Sequence, residues 1–208
     1  MNDEQALLHG SPQTAARLAT SADAAEVVRL AELMYRSVGA GDRGVDEWVV
    51  WRSASVAALL SRLGDDVGCF VVDAPGAPGE VLGAPGAPGA PGAPGAPGAP
   101  GAPALASCGA GVISTRLPNP RRPDGLCGYV MWMSTDPAHR RRGMARAVLR
   151  SLIEWFEERG VYNLELHATA EGEGLYRQEG FWVGTGGLPM RRRPWDPPGD
   201  EAQRGECC

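Results

Sequence analysis

The stretch from Tyr129 to Gly160, YVMWMSTDPAHRRRGMARAVLRSLIEWFEERG, constrains this chain more than any other. An apolar run from Tyr129 to Met133 meets a short polar turn and a glycine. Beyond the glycine, Ala145, Val148, Leu149, Leu152, Ile153 and Phe156 recur at helical spacing, so the segment reads as strand, turn and helix. The turn then sits at a helix N-terminus, where the first backbone N–H groups lack intrahelical partners and the helix dipole adds about half a positive charge. Arg141 to Arg146 are expected to form an anion cradle there. Gly143 lets the backbone approach a bulky anion closely, and Arg140, Arg141 and Arg142 add planar guanidinium groups suited to phosphate.

Composition narrows what such a cradle can serve. A chain of 208 residues holds one ordinary domain with appendages. It contains no apolar run long enough to cross a membrane, and its first residues, MNDEQALLHGSPQT, lack the apolar core of a secretion signal. A cytoplasmic protein is predicted. Arginine turns also occur in nucleic-acid binders, and all 20 basic residues here are arginine, but a net charge of −5 argues against that class of partner. The five cysteines, Cys69, Cys108, Cys127, Cys207 and Cys208, form no C-x-x-C pair and have no histidine at zinc spacing, so they are read as ordinary reduced thiols. The last two resemble a prenylation end, but the a-a-X pattern is absent.

Taken in order, residues 16–19 are predicted as a short strand, with Thr20 or Ser21 capping a helix whose apolar face holds Val27, Leu30, Ala31, Met34 and Val38. A second helix is predicted from Asp46 to Leu63, ended by Gly64, and a strand from Val67 to Asp73. From Ala74 to Pro103 the chain is almost pure Ala-Pro-Gly repeat. Glycine at every third position has the period of collagen, but the run is short and lies between two segments that read as adjacent strands. An expanded, solvated hairpin loop is the expectation. A strand resumes over residues 104–115, and Pro118 to Gly125 turns into the central strand. Gly160 stands where a helix ends, Arg150 and Glu154 are spaced for an ion pair, residues 161–168 read as a strand and 169–179 as a short helix. Final strand residues are predicted within Phe181 to Met190, followed by a disordered tail over 191–208.

The run Arg140-Arg141-Arg142-Gly143-Met144-Ala145 resembles the Q/R-x-x-G-x-G/A acyl-CoA signature of the GNAT superfamily of N-acyltransferases, and Asp136-Pro137 precedes it as in that family. The following strand, VYNLELHA, and the run Leu175-Tyr176-Arg177-Gln178-Glu179-Gly180-Phe181, which resembles the family's L-Y-x-x-x-G-F element, come in the family's order. The resemblance implies an α/β (α+β) fold over residues 15–190, a mixed, mainly antiparallel sheet flanked by helices, with the Ala-Pro-Gly loop inserted. It implies transfer of an acetyl group from acetyl-CoA to a primary amine by direct attack. Pantetheine would pair with backbone near Met133, Ser134 and Thr135, and the pyrophosphate would lie on Arg140, Arg141, Arg142, Gly143, Met144, Ala145 and Arg146. Thr169 stands where many relatives carry a pantetheine-binding asparagine, and Tyr176 matches the general acid. The central strand lacks the carboxylate that many relatives use as base, which leaves Glu165 or His167, directly or through water. Met34, Tyr35, Trp48 and Trp51 are acceptor-pocket candidates. A small amine, an antibiotic, a peptide N-terminus and a protein lysine all stay open as acceptors, as does oligomeric state, a homodimer included. The alternative reading is a non-catalytic acyl-CoA-binding regulatory or scaffold protein of the same fold.

Overall fold

Two of the most apolar stretches show little hydrophobic alternation because helices cover them on both sides, as the inner strands of a two-faced sheet require. The computed structural model describes residues 15–40, 44–75, 105–120 and 122–184. Within them, β1 (Arg17–Leu18), β2 (Val67–Asp73), β3 (Leu105–Thr115), β4 (Leu126–Thr135) and β5 (Leu164–Glu165) lie side by side in chain order. All neighbours are antiparallel except β4 and β5, which are parallel. The mixed, mainly antiparallel sheet expected from the sequence is therefore the one observed. The Ala-Pro-Gly repeat lies outside the described residues, but Asp73 pairs with Leu105 at the ends of β2 and β3, so the chain between them closes a hairpin.

One face of the sheet carries α1 (Ala24–Tyr35) and α2 (Val45–Arg62), with Val27, Leu30 and Leu59 packed on Cys69, Val71, Leu105 and Cys108. The other carries α3 (Met144–Glu157), whose Val148, Leu149, Leu152 and Phe156 are fully buried. α3 comes close because glycines lie beneath it: a Cβ on Gly111 or Gly128 would stand 2.5 or 2.7 Å from the Phe156 ring. The buried thiols behave as small hydrophobes, and burial pushes Cys69 up to about 12.

The capping box of Thr20 and Asp23 sits on a 3-10 turn over Ser21–Asp23 that leads into α1, not on α1 itself. The Asp23 carboxylate accepts from Thr20 N at 2.7 Å and Thr20 Oγ at 2.8 Å. Arg17 binds both Asp23 and Asp73, and it lowers the Asp23 pKa to about 2. Val38 is a correction: α1 stops at Tyr35, and Val38 and Gly39 leave helical geometry in the turn that follows, so Val38 is exposed rather than on the packed face. Arg150 is a second, since it pairs with Glu179 at 2.9 Å across to another helix.

Gly160 ends α3 as expected, at φ +72°, with Gly160 N donating to Glu157 O and Val161 N to Phe156 O. That is the Schellman arrangement. It recurs after α4 (Glu173–Gln178): Gly180, at φ +89°, donates to Arg177 O, and Phe181 N donates to Tyr176 O. The expected strand over 161–168 shrinks to the two residues of β5, and residues 181–184 form no strand. Residues 185–190 and the tail lie outside the described residues.

Candidate functional site

β4 carries a defect at its centre. Met131 pairs with Ala110 and Ser134 with Cys108, so β4 fits two residues, Trp132 and Met133, against Gly109 alone. Trp132 takes up the extra length at φ +55°, a conformation that bulky residues adopt only where their surroundings hold it. The bulge sends neighbouring side chains to opposite faces. Trp132 packs on the α1 and α2 side, and Met133 lies over Gly109 on the α3 side.

The other edge of β4 opens at the same level. β4 pairs with β5 only at Gly128–Leu164 and Tyr129–Glu165, so from Val130 to Thr135 its backbone has no β5 partner. Met133, Ser134 and Thr135 lie along this open edge. Ser107 Oγ and the Thr135 hydroxyl share a hydrogen bond of 2.9 Å, and Ser107 also donates to Ser134 O, which ties the end of the strand to β3.

Beyond Thr135, Asp136 accepts from Ala138 N at 3.1 Å and closes a turn over Pro137–His139. Arg29 of α1 reaches Asp136 at 3.3 Å and holds that turn against the domain. Arg141 and Gly143 then both take positive φ, +64° and +81°, folding the backbone around α3's first turn. Such successive amides form an anion-binding concavity. The first helical bond back into the loop runs from Ala147 N to Gly143 O at 3.1 Å, which leaves the amides of Met144, Ala145 and Arg146 without a helical acceptor. A Cβ on Gly143 would meet nothing within 4 Å, so the cradle is open space. Arg140, Arg141 and Arg142 are exposed, and none is ion-paired with a carboxylate among the described residues. Residues 140–146, expected from the sequence to form a cradle, thus lie together on this loop and the first turn of α3. Arg146 is the exception in use: it binds Glu179 at 3.1 Å, with Gln178 alongside, and fastens α3 to α4.

That fastening positions Tyr176. Its ring packs against Phe181 at 6.0 Å, the apolar contact that accompanies a Schellman ending, and the phenol is buried enough to raise its pKa. No hydrogen-bond partner for its hydroxyl occurs among the described residues. Thr169 turns to local use, its Oγ accepting from Gly172 N at 3.2 Å where the chain enters α4.

The two base candidates separate. Glu165 is held by Arg116 through two bonds, 2.9 and 2.8 Å, and by Arg122 at 3.3 Å, and Arg116 lowers its pKa. A carboxylate so engaged is a weaker base than a free one. His167 is exposed, and its Nδ1 lies 2.6 Å from the Tyr129 hydroxyl at the level where β4 and β5 part.

On the opposite side of the bulge stands a group of rings. Trp51 meets Tyr35 at 5.5 Å, Trp48 at 5.5 Å and Trp132 at 6.3 Å, each edge to face, and Trp132 Nε1 donates to the Tyr35 hydroxyl at 3.3 Å. Trp48 is almost fully buried under the Arg36 guanidinium. Three of the four acceptor candidates are therefore together. Trp132 was not legible as their neighbour, because nothing in residue type marks where a strand bulges.

The sequence model of the acetyltransferase (GNAT) family matches residues 108–181, from the middle of β3 to Phe181. No curated protein matches the sequence. Among solved structures, a GCN5-related N-acetyltransferase from Ralstonia eutropha is similar at TM-score 0.61 and 24% identity, over 85% of this chain and 97% of that one. A predicted acetyltransferase from Clostridium acetobutylicum, crystallised with acetyl-CoA, is similar at 0.61 and 16%, over 85% and 94%. Glucosamine-6-phosphate N-acetyltransferase from Arabidopsis thaliana is similar at 0.52 and 15%, over 86% and 96%. At these identities the likeness is one of fold.

Proposed function

We propose, from the match of residues 108–181 to the model of the acetyltransferase (GNAT) family, that the protein transfers an acetyl group from acetyl-CoA to a primary amine. The observation that carries the reading is the continuity of bulge, open strand edge and arginine cradle along β4 and into α3. The pantetheine arm takes the open edge beside Met133, Ser134 and Thr135, where an extended polyamide replaces the missing β5 partner. The pyrophosphate meets the amides of residues 141–146 and the guanidinium groups of Arg140, Arg141 and Arg142. Arg146 and Thr169 act one step back, by fixing α4 and its entry.

In the reaction the amine nitrogen attacks the thioester carbonyl carbon. The C–N bond forms, an oxyanion develops on the carbonyl oxygen, and its collapse breaks the C–S bond. Tyr176 donates its proton to the departing thiolate. Burial favours the neutral phenol, so the acid stays charged with its proton well above neutral pH. The proton released by the amine passes to water at the parting of β4 and β5, where His167 stands; Glu165 is engaged by its two arginines.

A panel of primary amines assayed for release of free thiol from acetyl-CoA tests the proposal. Turnover of at least one amine is expected, and Tyr176→Phe should lower kcat by about a hundredfold to ten-thousandfold while the acetyl-CoA KM stays within a few fold. Full turnover by Tyr176→Phe would make the tyrosine structural. Failure of every amine, with acetyl-CoA still bound, would leave a binding protein of this fold.

A further inference from the structure

Resting on the acetyltransferase reading, we infer that the acceptor is a primary amine bearing a flat aromatic group, received by the wall of Tyr35, Trp51 and Trp132. Each of these rings is only half-buried, whereas Trp48 behind them is sealed in the interior. The wall is thus an accessible surface backed by a rigid one. Trp132 connects it to the reacting centre, because the residue belongs to the bulge and its neighbour Met133 lies on the edge given to pantetheine. In this proposal the acceptor sits on these rings, on the α1 and α2 side of the bulge, with its amine directed at the strand edge given to pantetheine.

The geometry favours an aromatic group over an aliphatic chain or a second cation. Trp51 stands edge to face with Tyr35 and with Trp132, at 83° and 69°, so the group presents both ring faces and ring edges, the two surfaces against which another ring packs best. The Tyr35 hydroxyl accepts from Trp132 Nε1 and keeps its own proton, which suits a phenol or heteroaryl acceptor. A row of rings also attracts ammonium groups, but here the Arg36 guanidinium already takes that place, 4.6 Å over the Trp48 ring. Glu32, the carboxylate tied to this group, is bound by both Arg36 and Arg52, two cations for one anion.

The test compares phenethylamine, n-butylamine and 1,4-diaminobutane as acceptors with the full chain. We expect kcat/KM for phenethylamine to exceed that of the other two by about tenfold or more, the size of one or two good ring contacts. Trp51→Leu should bring the phenethylamine-to-butylamine ratio toward one, and Trp51→Phe should restore part of it. Because the wild-type ratio needs no variant, it decides even where Trp51→Leu does not fold. Acetylation of all three at similar kcat/KM, or a preference for the diamine, overturns this inference and leaves the acetyltransferase reading standing. Acetylation of none of a broad amine panel overturns that reading, and this inference with it.

Discussion

Gly143 shows how one residue ties the backbone to the chemistry. Its φ of +81° is one that L side chains rarely adopt, and the space beyond its missing Cβ is open. In the proposed site the arginines beside it supply charge while the amides do the close binding, and those amides need an unobstructed approach. Gly143→Asp adds both backbone strain and a carboxylate facing the pyrophosphate. Titration calorimetry should show acetyl-CoA binding lost or weakened by at least a hundredfold, and equal binding by wild type and variant would remove the cradle from the site. Tyr176 offers a separate check through pH. Burial raises its pKa, so activity that depends on the protonated phenol persists past the ordinary value of about 10 and falls only above it. That high-pH limb should be present in the wild-type rate profile and absent from Tyr176→Phe. Both residues stand out in the sequence because their neighbours form motifs, and their roles belong to the proposal. Trp132 does not stand out, since its importance comes from a φ of +55° that only the pairing of β3 with β4 creates. Sequence spacing also misassigned Arg150, whose partner Glu179 comes from a helix that local periodicity cannot place against α3.

At the scale of elements, the strong periodicity of α3 and the length of β2, β3 and β4 made them readable. β5 was overestimated for a physical reason: a strand is defined by its partner, and β4 leaves β5 after Tyr129. The same parting that shortens β5 makes the open edge, so the least readable strand borders the proposed site. Packing of α3 depends on the glycines below it. Gly128 lies where β5 attaches, and a Cβ there would come within 2.6 Å of Leu164 and 2.7 Å of Phe156. Phe156 is fully buried and cannot swing into solvent. Gly128→Ala should therefore destabilise the fold by about 1–3 kcal/mol, the usual cost of overpacking, and lower the thermal midpoint by several degrees. An unchanged melt would mean that α3 is less tightly seated than these contacts require. α4 is held differently. Glu179 is nearly buried between Arg146 and Arg150, so the helix that carries Tyr176 is pinned to the helix whose N-terminus forms the cradle.

The whole molecule poses the question of why an Ala-Pro-Gly run is tolerated inside a domain whose sheet is otherwise continuous. β2 and β3 pair along their length and end together at Asp73 and Leu105, so the two strands meet whatever the connection does. Their register is set by buried side chains, Val71 and Val72 against Cys108 and Ser107, rather than by turn chemistry. Under these conditions the length of the connection enters stability only through loop closure, about 0.6 kcal/mol for each halving. Replacing residues 84–103 with a short Gly/Asn turn should stabilise the domain by about 1 kcal/mol or less and leave acetyl-CoA affinity unchanged. The cradle lies on β4 and α3 and meets that hairpin end through described residues of β3 alone: Asp136 N–H donates to Ala106 O at 2.9 Å, and Ser107 Oγ donates to Ser134 O. Collagen-like association predicts a different result, because three chains must share the repeat to satisfy its backbone. Sedimentation velocity separates the two. The shortened chain and the full chain should sediment as the same oligomer, and loss of subunits on deletion would make the repeat an assembly element instead of a tolerated loop.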